Sequence, residues 1–451
     1  DLQHAGVIPE PFYAGNIRRL RPFEFYEWWY TREFDVPAAP EGHGWRIVFD
    51  GLDTVATIWI NGHEAGRSRN MLVEHSWDVT GLLRPGESNR IAVRIGSPLN
   101  YARRFRYDAV TVGPEHRHEM LFVRKAAHMG GWDIMPRAIS AGIWRSVRLE
   151  TQPPAAIEQL YYWTASVGEQ GATLGVRFQV RTELEELAGL RLRFSGQCGD
   201  HCFTFEWPIE FIAGGCRIPV QDARLWWPKG YGQPNLYTVT ATLLQGERVL
   251  AERTDRIGIR SLEVRRTEHA GQARSARPAA EGLCRWDEPA DPASHFVFVV
   301  NGEPIMVKGA NWVPLDAFHS RDAERYERML DLFDDTNSNA LRCWGGNVYE
   351  DYAFYDRCDR SGILVWQDFS MACGVYPRDE EFLHEMRLEA EAVAKKLRNH
   401  PSILLWSGDN ECDAGAVEFR PAVYMSAKTA GTTADAARSP GPDVSSRSYK
   451  P

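Results

Sequence analysis

No stretch of this 451-residue sequence approaches the roughly twenty consecutive apolar residues of a bilayer-spanning helix, so no helical membrane segment is expected within it. Basic residues are not gathered: Lys and Arg number 52 against 61 Asp and Glu, giving a formal charge of −9. No Lys/Arg stripe interleaved with aromatics is present to track a phosphate backbone, and nucleic acid is not an expected partner. The eight cysteines stand mostly alone. Their closest pair, Cys198 and Cys202, lacks the second pair or the histidines of a zinc site, so free thiols are expected and no metal is implied. The opening residues Asp1-Leu2-Gln3-His4 carry no charged-then-apolar secretion signal, which with the unpaired cysteines gives a cytoplasmic expectation.

What is abundant is tryptophan, 16 residues in a chain long enough for several domains. An indole offers a flat apolar face to a sugar ring, and serves equally well as core packing. Period-two alternation runs from Trp45 to Glu150, as in Ile91, Val93 and Ile95. A β-branched run ends at Asn61-Gly62, a dipeptide suited to a tight hairpin turn. These features predict an antiparallel β-sandwich over residues 1–152 and, after Pro153-Pro154, a second one over 153–264. Residues 265–294 read as a connecting loop.

From residue 295 the period changes. Strands at 297–300, 305–308, 340–343, 363–366 and 403–406 alternate with helical patterns. One helix is marked by Tyr326, Met329, Leu330 and Phe333 behind a Ser320 cap, another ends at Gly362, and a third carries Leu383, Met386, Ala390, Val393 and Leu397. Alternation of this kind predicts a parallel (β/α) barrel over 295–413. A whole barrel takes about 250 residues, so only its first half is expected here. Residues 414–451, drawn mostly from Ala, Ser, Gly, Pro and Thr, are expected to be a disordered or non-native tail.

Barrel enzymes carry their chemistry where strands end. The four predicted rims are Gly309-Ala310-Asn311-Trp312, Arg342-Cys343-Trp344-Gly345-Gly346, Trp366-Gln367-Asp368 and Trp406-Ser407-Gly408-Asp409-Asn410-Glu411. Tryptophan, amide and carboxylate together are suited to a sugar pocket, with Asp368 and Asn410 as candidates for hydroxyl groups. Hydrolysing a glycoside needs a carboxylic acid to protonate the leaving oxygen, and Glu411 is the candidate. A Glu after a strand serves equally as a helix cap.

The run Arg398-Asn399-His400-Pro401-Ser402-Ile403-Leu404-Leu405-Trp406-Ser407-Gly408-Asp409-Asn410-Glu411 resembles the acid/base signature of glycoside hydrolase family 2. Gly51-Leu52-Asp53-Thr54-Val55-Ala56 with Trp59-Ile60-Asn61-Gly62 is similar to that family's amino-terminal sugar-binding sandwich. Leu225-Trp226-Trp227-Pro228 with Asn235-Leu236-Tyr237 is similar to its immunoglobulin-like sandwich. Arg342-Cys343-Trp344-Gly345-Gly346 and Gly131-Trp132-Asp133 resemble the β-mannosidase branch. The resemblance implies a jelly-roll-like sandwich, an immunoglobulin-like sandwich and a TIM barrel. It also implies an exo-acting retaining enzyme that removes terminal β-linked mannose from an oligosaccharide or glycoside without a cofactor. It makes Glu411 the acid/base, places Asn410 near the 2-hydroxyl and Trp344 at the mannose subsite, and has Trp132 and Asp133 touch substrate from the first domain.

Asp409 stands where the branch commonly has Asn, and Ile134-Met135 where it has Trp-Gly. The family nucleophile is a Glu ending the seventh barrel strand. Only 40 residues follow Glu411, with Glu418 the one later Glu, so the chain is expected to lack the nucleophile. It is likewise expected to begin inside the first sandwich. A different family 2 sugar (galactose, glucuronic acid or glucosamine) and a non-catalytic carbohydrate-binding fragment are the alternatives.

Overall fold

The structure, a computed structural model, describes residues 1–107, 111, 113, 118–184, 187–266 and 296–412. The expected linker core and the 414–451 tail with Glu418 therefore lie outside the described residues. In the first domain an antiparallel sheet orders Trp28–Asp35, Ser88–Gly96, Val55–Ile60 and His63–Ser68. It faces a second sheet of His75–Asp78, Gly44–Phe49 and Val147–Gln152. Alternation sets the core: Ala56, Ile58 and Ile60 point inward with Val93 and Ile95, against Ile47 and Phe49 of the facing sheet. Asn61 and Gly62 both take positive φ, 51° and 85°, and return the chain directly into the next strand.

The second sandwich packs Ala156–Gly168, Gly171–Arg181 and Ala213–Gln221 on a sheet of His201–Pro208, Leu190–Cys198, Tyr237–Gln245 and Arg248–Ile257. Leu174, Val176, Phe178, Leu192, Phe194, Val239 and Leu243 form its core. Leu262–Arg266, Phe296–Val300 and Glu303–Ile305 make a small antiparallel sheet that leads into the third domain.

There, four strands run parallel in sequence order: Gly309–Trp312, Ala340–Cys343, Leu364–Asp368 and Ile403–Ser407. Trp226 of the second sandwich, fully buried, closes their amino-terminal end with Phe298, Ile305, Ala340, Leu364 and Leu404, and its indole N–H donates to the Asp359 carbonyl (2.8 Å). Here tryptophan is core, not a sugar platform. Helix Tyr352–Ser361 ends at Gly362, whose φ of 71° is the left-handed stop expected of a glycine after a helix. Helix Glu380–Leu397 is capped by the Asp379 carboxylate, which accepts from Phe382 N (2.9 Å), with Glu380 and Glu381 in its first turn and Lys395 and Lys396 in its last.

Three local expectations need correction. The first barrel strand is Gly309–Trp312 itself, not 305–308 with Gly309–Trp312 as the rim that follows it. Ser320 lies inside a 3-10 turn, His319–Glu324, and does not cap Tyr326–Asp335, whose preceding residue is Arg325. Helix Glu380–Leu397 buries Phe382, Glu389, Val393 and Leu397, while Leu383 is exposed. Its inward stripe carries a carboxylate at the centre because a guanidinium from the first domain meets it there.

Candidate active site

The ends of the second, third and fourth parallel strands meet in one hydrogen-bonded array. Arg342, leaving the second strand, forks the Asp368 carboxylate (Nε–Oδ1 3.2 Å, Nη2–Oδ2 2.7 Å) and donates from Nη2 to Asn410 Oδ1 (2.9 Å). Asp368 also accepts from Gly345 N (3.1 Å). Burial raises the Asp368 carboxyl above the usual carboxylate range, and the Arg342 contact only partly offsets it. Asp368 is fully buried, and its carboxylate holds both Arg342 and the Gly345 turn.

Asn410 is buried too. With its oxygen on Arg342, its amide nitrogen reaches Glu411 Oε2 and Cys373 Sγ, each at 3.4 Å. Its backbone continues the sheet beyond the strands: Asn410 N donates to Met371 O (2.9 Å) and Cys373 N to Asn410 O (2.8 Å). Glu411 then turns outward with φ of 58°, a left-handed conformation that a non-glycine residue adopts at a cost of about 1–3 kcal/mol. That turn leaves the carboxylate exposed at the rim, with Oε2 accepting from Cys373 Sγ (3.2 Å).

Trp344 is buried in the neighbouring rim, and the Trp132 indole of the first domain meets it edge-on (centroids 4.8 Å apart, 75°). Gly345 passes beneath the adjoining loops so closely that a Cβ would lie 2.6 Å from Met371 O and 2.9 Å from Phe369 O. Asp133, next to Trp132, is exposed. The structure thus joins Trp132 to Trp344, and Asp368 through Arg342 to Asn410 and Glu411.

The loop bearing Trp132 and Asp133 is held by buried charge. Lys125 pairs with Asp53, which also accepts from Ser140 Oγ (2.5 Å). Burial lowers the Lys125 ammonium, with Asp53 working against it. Arg124 donates to both oxygens of Glu389 (2.9 and 2.7 Å), and Asn70 Nδ2 (2.8 Å) and Tyr349 OH (2.9 Å) also donate to that carboxylate. Burial pulls the Arg124 guanidinium down, and Glu389 more than restores it. Arg137 forks Glu24 (3.0 and 2.8 Å) and reaches Glu119 (2.5 Å). Between these anchors, His128 N donates to Gly346 O (3.1 Å), while the His128 and His319 Nε2 atoms lie 2.7 Å apart and His319 Nδ1 meets Asp322 (2.6 Å). Burial, then His319 and Lys125, keep the His128 imidazole well below its ordinary value, so it is neutral. Nearby, burial and then Asp322 push the Glu350 carboxyl up to about 7, even though it accepts from Trp312 Nε1 (3.0 Å) and Tyr326 OH (2.6 Å).

Sequence reasoning gave none of these anchors a role, although Asp53 stood inside a quoted motif. Arg342 stood inside a quoted motif without a role. Cys373 gave no signal, since its partner Glu411 is 38 residues away. The described cysteines all carry free thiols. Asp356, Asp359 and His400 converge as metal ligands do, but Asp356 accepts from Arg256 (2.7 Å), and Asp359 meets His400 (2.6 Å) and accepts from Ser402 N (3.0 Å). These groups already satisfy one another, and they tie the start of the fourth strand to helix Tyr352–Ser361.

Comparison with known proteins gives three consecutive matches: a glycosyl hydrolase 2 galactose-binding domain-like model over residues 1–145, a glycosyl hydrolases family 2 model over 157–260, and the family 2 TIM barrel domain over 294–433. The β-mannosidase B of Thermothelomyces thermophilus is 34% identical, covering 91% of this chain and 46% of its own length. The β-mannosidase of Mus musculus is 29% identical at the same coverages. Among solved structures, the β-D-mannosidase of Dictyoglomus thermophilum aligns with a TM-score of 0.78 at 33% identity, over 91% of this chain and 49% of that one. A Bacteroides uniformis β-glucuronidase, at 18% identity and TM-score 0.63 over 90% of this chain and 44% of its own, shares the fold. The chain spans about half the length of the curated relatives it matches. With two β-sandwiches and a parallel barrel sheet in that order, and all three domains matched, the chain belongs to glycoside hydrolase family 2.

Proposed function

We propose that the protein is an exo-acting retaining β-mannosidase that removes terminal β-linked mannose, with Glu411 as the acid and then the base. The observation that carries this reading is the position of Glu411: an exposed carboxylate turned outward past the end of the fourth strand, beside an Asn410 fixed by Arg342. In a double displacement Glu411 protonates the glycosidic oxygen as the bond to the sugar breaks. Its carboxylate then takes a proton from the water that attacks the glycosyl intermediate. The second carboxylate, about 5 Å away across the bond in a retaining enzyme, is not assigned to any described residue. Likeness to β-mannosidases from a fungus, a mouse and a bacterium supports mannose as the sugar. The edge-on pair of Trp132 and Trp344 supports a one-ring subsite walled by the first domain. No metal or cofactor enters this chemistry.

The test is a panel of 4-nitrophenyl β-D-mannoside, galactoside, glucoside, glucuronide and N-acetylglucosaminide with the full-length protein. The proposal expects the mannoside to have the highest kcat/KM. Preference for any other sugar would overturn the mannose assignment while leaving the family untouched.

A further inference from the structure

The loop after the third barrel strand delivers a thiol to the carboxylate of Glu411, and its backbone is fixed from both sides. Ala372 pairs with Asn410 as an isolated parallel bridge, and its N–H donates to Tyr376 OH (3.0 Å), which donates in turn to Ala372 O (3.4 Å). The Tyr376 ring stacks on Phe382 at the start of helix Glu380–Leu397 (6.1 Å, 25°). Cys373 follows with φ of 42°, a left-handed position that no glycine relieves. Strain of this kind persists where surrounding contacts hold it, and here they aim one side chain. Cys373 Sγ accepts from Asn410 Nδ2 (3.4 Å) and donates to Glu411 Oε2 (3.2 Å), the two weak roles a thiol can fill at once. Glu411 Oε1 has no hydrogen-bond partner among the described residues.

We propose that Cys373 is a positioning residue for the acid/base. Its S–H turns the Glu411 carboxylate so that Oε2 is held against the protein and Oε1 is presented to the glycosidic oxygen. Nothing in the reaction passes through sulfur. The inference rests on the reading of Glu411 as acid/base, and two measurements separate its failure from the failure of that reading.

The first needs no catalysis. Iodoacetamide alkylates a thiolate, the sulfur forming a bond to carbon as iodide departs, and a neighbouring carboxylate slows this by opposing the thiolate. Site-resolved mass spectrometry of the native protein at pH 8 is expected to show Cys373 alkylated about three- to tenfold faster in Glu411→Gln than in wild type. The exposed Cys202 serves as internal control and stays constant. An unchanged ratio of Cys373 to Cys202 overturns the contact.

The second uses aryl β-mannosides of differing leaving-group pKa with the full-length protein. Cys373→Ala is expected to lower kcat about tenfold for a poor leaving group, which needs a well-aimed proton, and little for an activated one, with KM unchanged in both. Cys373→Ser, which keeps a donor, recovers most of the loss. A Cys373→Ala variant equal to an active wild type on every leaving group refutes the positioning role alone. A wild type inactive on every aryl glycoside refutes the acid/base reading, and the positioning role with it.

Discussion

Replacing Glu389 with Gln tests how the first domain is fixed to the barrel. The Arg124 and Glu389 side chains are 3% and 0% exposed, so the substitution leaves a guanidinium in a dry interface without its counter-charge. Asn70 and Tyr349 also lose a charged acceptor. Breaking one partner of a buried pair costs about 3–5 kcal/mol, mostly the desolvation of the charge left behind. An exposed pair such as Arg67 with Glu64 is screened by water and contributes little to stability. Urea unfolding followed by tryptophan fluorescence is expected to show a large fall in midpoint for Glu389→Gln and almost none for Glu64→Gln. The double variant Arg124→Met with Glu389→Leu removes both charges and is expected to recover most of the loss. A Glu389→Gln midpoint no lower than that of Glu64→Gln would refute the claim that this pair holds the interface.

Three further outcomes follow from the same geometry. Gly345→Ala places a Cβ against Met371 O and Phe369 O and must part the second and third rims, so kcat/KM of the full-length protein is expected to fall about tenfold or more while far-UV circular dichroism is kept. Trp132→Ala removes the edge contact on Trp344 and is expected to raise KM for an aryl mannoside more than it lowers kcat. Glu350 binds its proton more tightly folded, at about 7, than at its ordinary 4.5. Its stabilising contribution is therefore complete below pH 4.5 and is lost as pH rises to 7, about 3 kcal/mol in all. Urea midpoints measured from pH 5 to pH 8 are expected to decline in wild type relative to Glu350→Gln, in which that slope is absent.

Much of the fold was legible because its signals are local. Asn61-Gly62 states its turn within two residues and takes positive φ at both positions. Alternation in Ile91, Val93 and Ile95 states which face is buried. The strand ends placed Trp344, Asp368, Asn410 and Glu411 on one rim without any knowledge of their contacts. The docking chemistry was not legible, because its partners are distant in sequence. Arg124 and Glu389 are 265 residues apart, and Arg137 and Glu24 are 113. A period-seeking reading of helix Glu380–Leu397 placed Leu383 inside and passed over Glu389, since no rule of periodicity puts a carboxylate on an inward stripe until its cation is known. The Arg342 contact of Asp368 was not legible for the related reason that the two residues are 26 positions apart, on different strands.

The role of Glu411 is tested most directly by chemical rescue. Glu411→Ala in the full-length protein is expected to slow hydrolysis of an aryl β-mannoside with a poor leaving group by about a hundredfold or more. With an activated aryl mannoside, added azide, a nucleophile that needs no base, is expected to enter the vacated space and restore turnover, yielding a β-mannosyl azide of retained configuration. A Glu411→Ala variant that hydrolyses both substrates at the wild-type rate, or is slowed but gains nothing from azide, would contradict the assignment of Glu411 as acid/base.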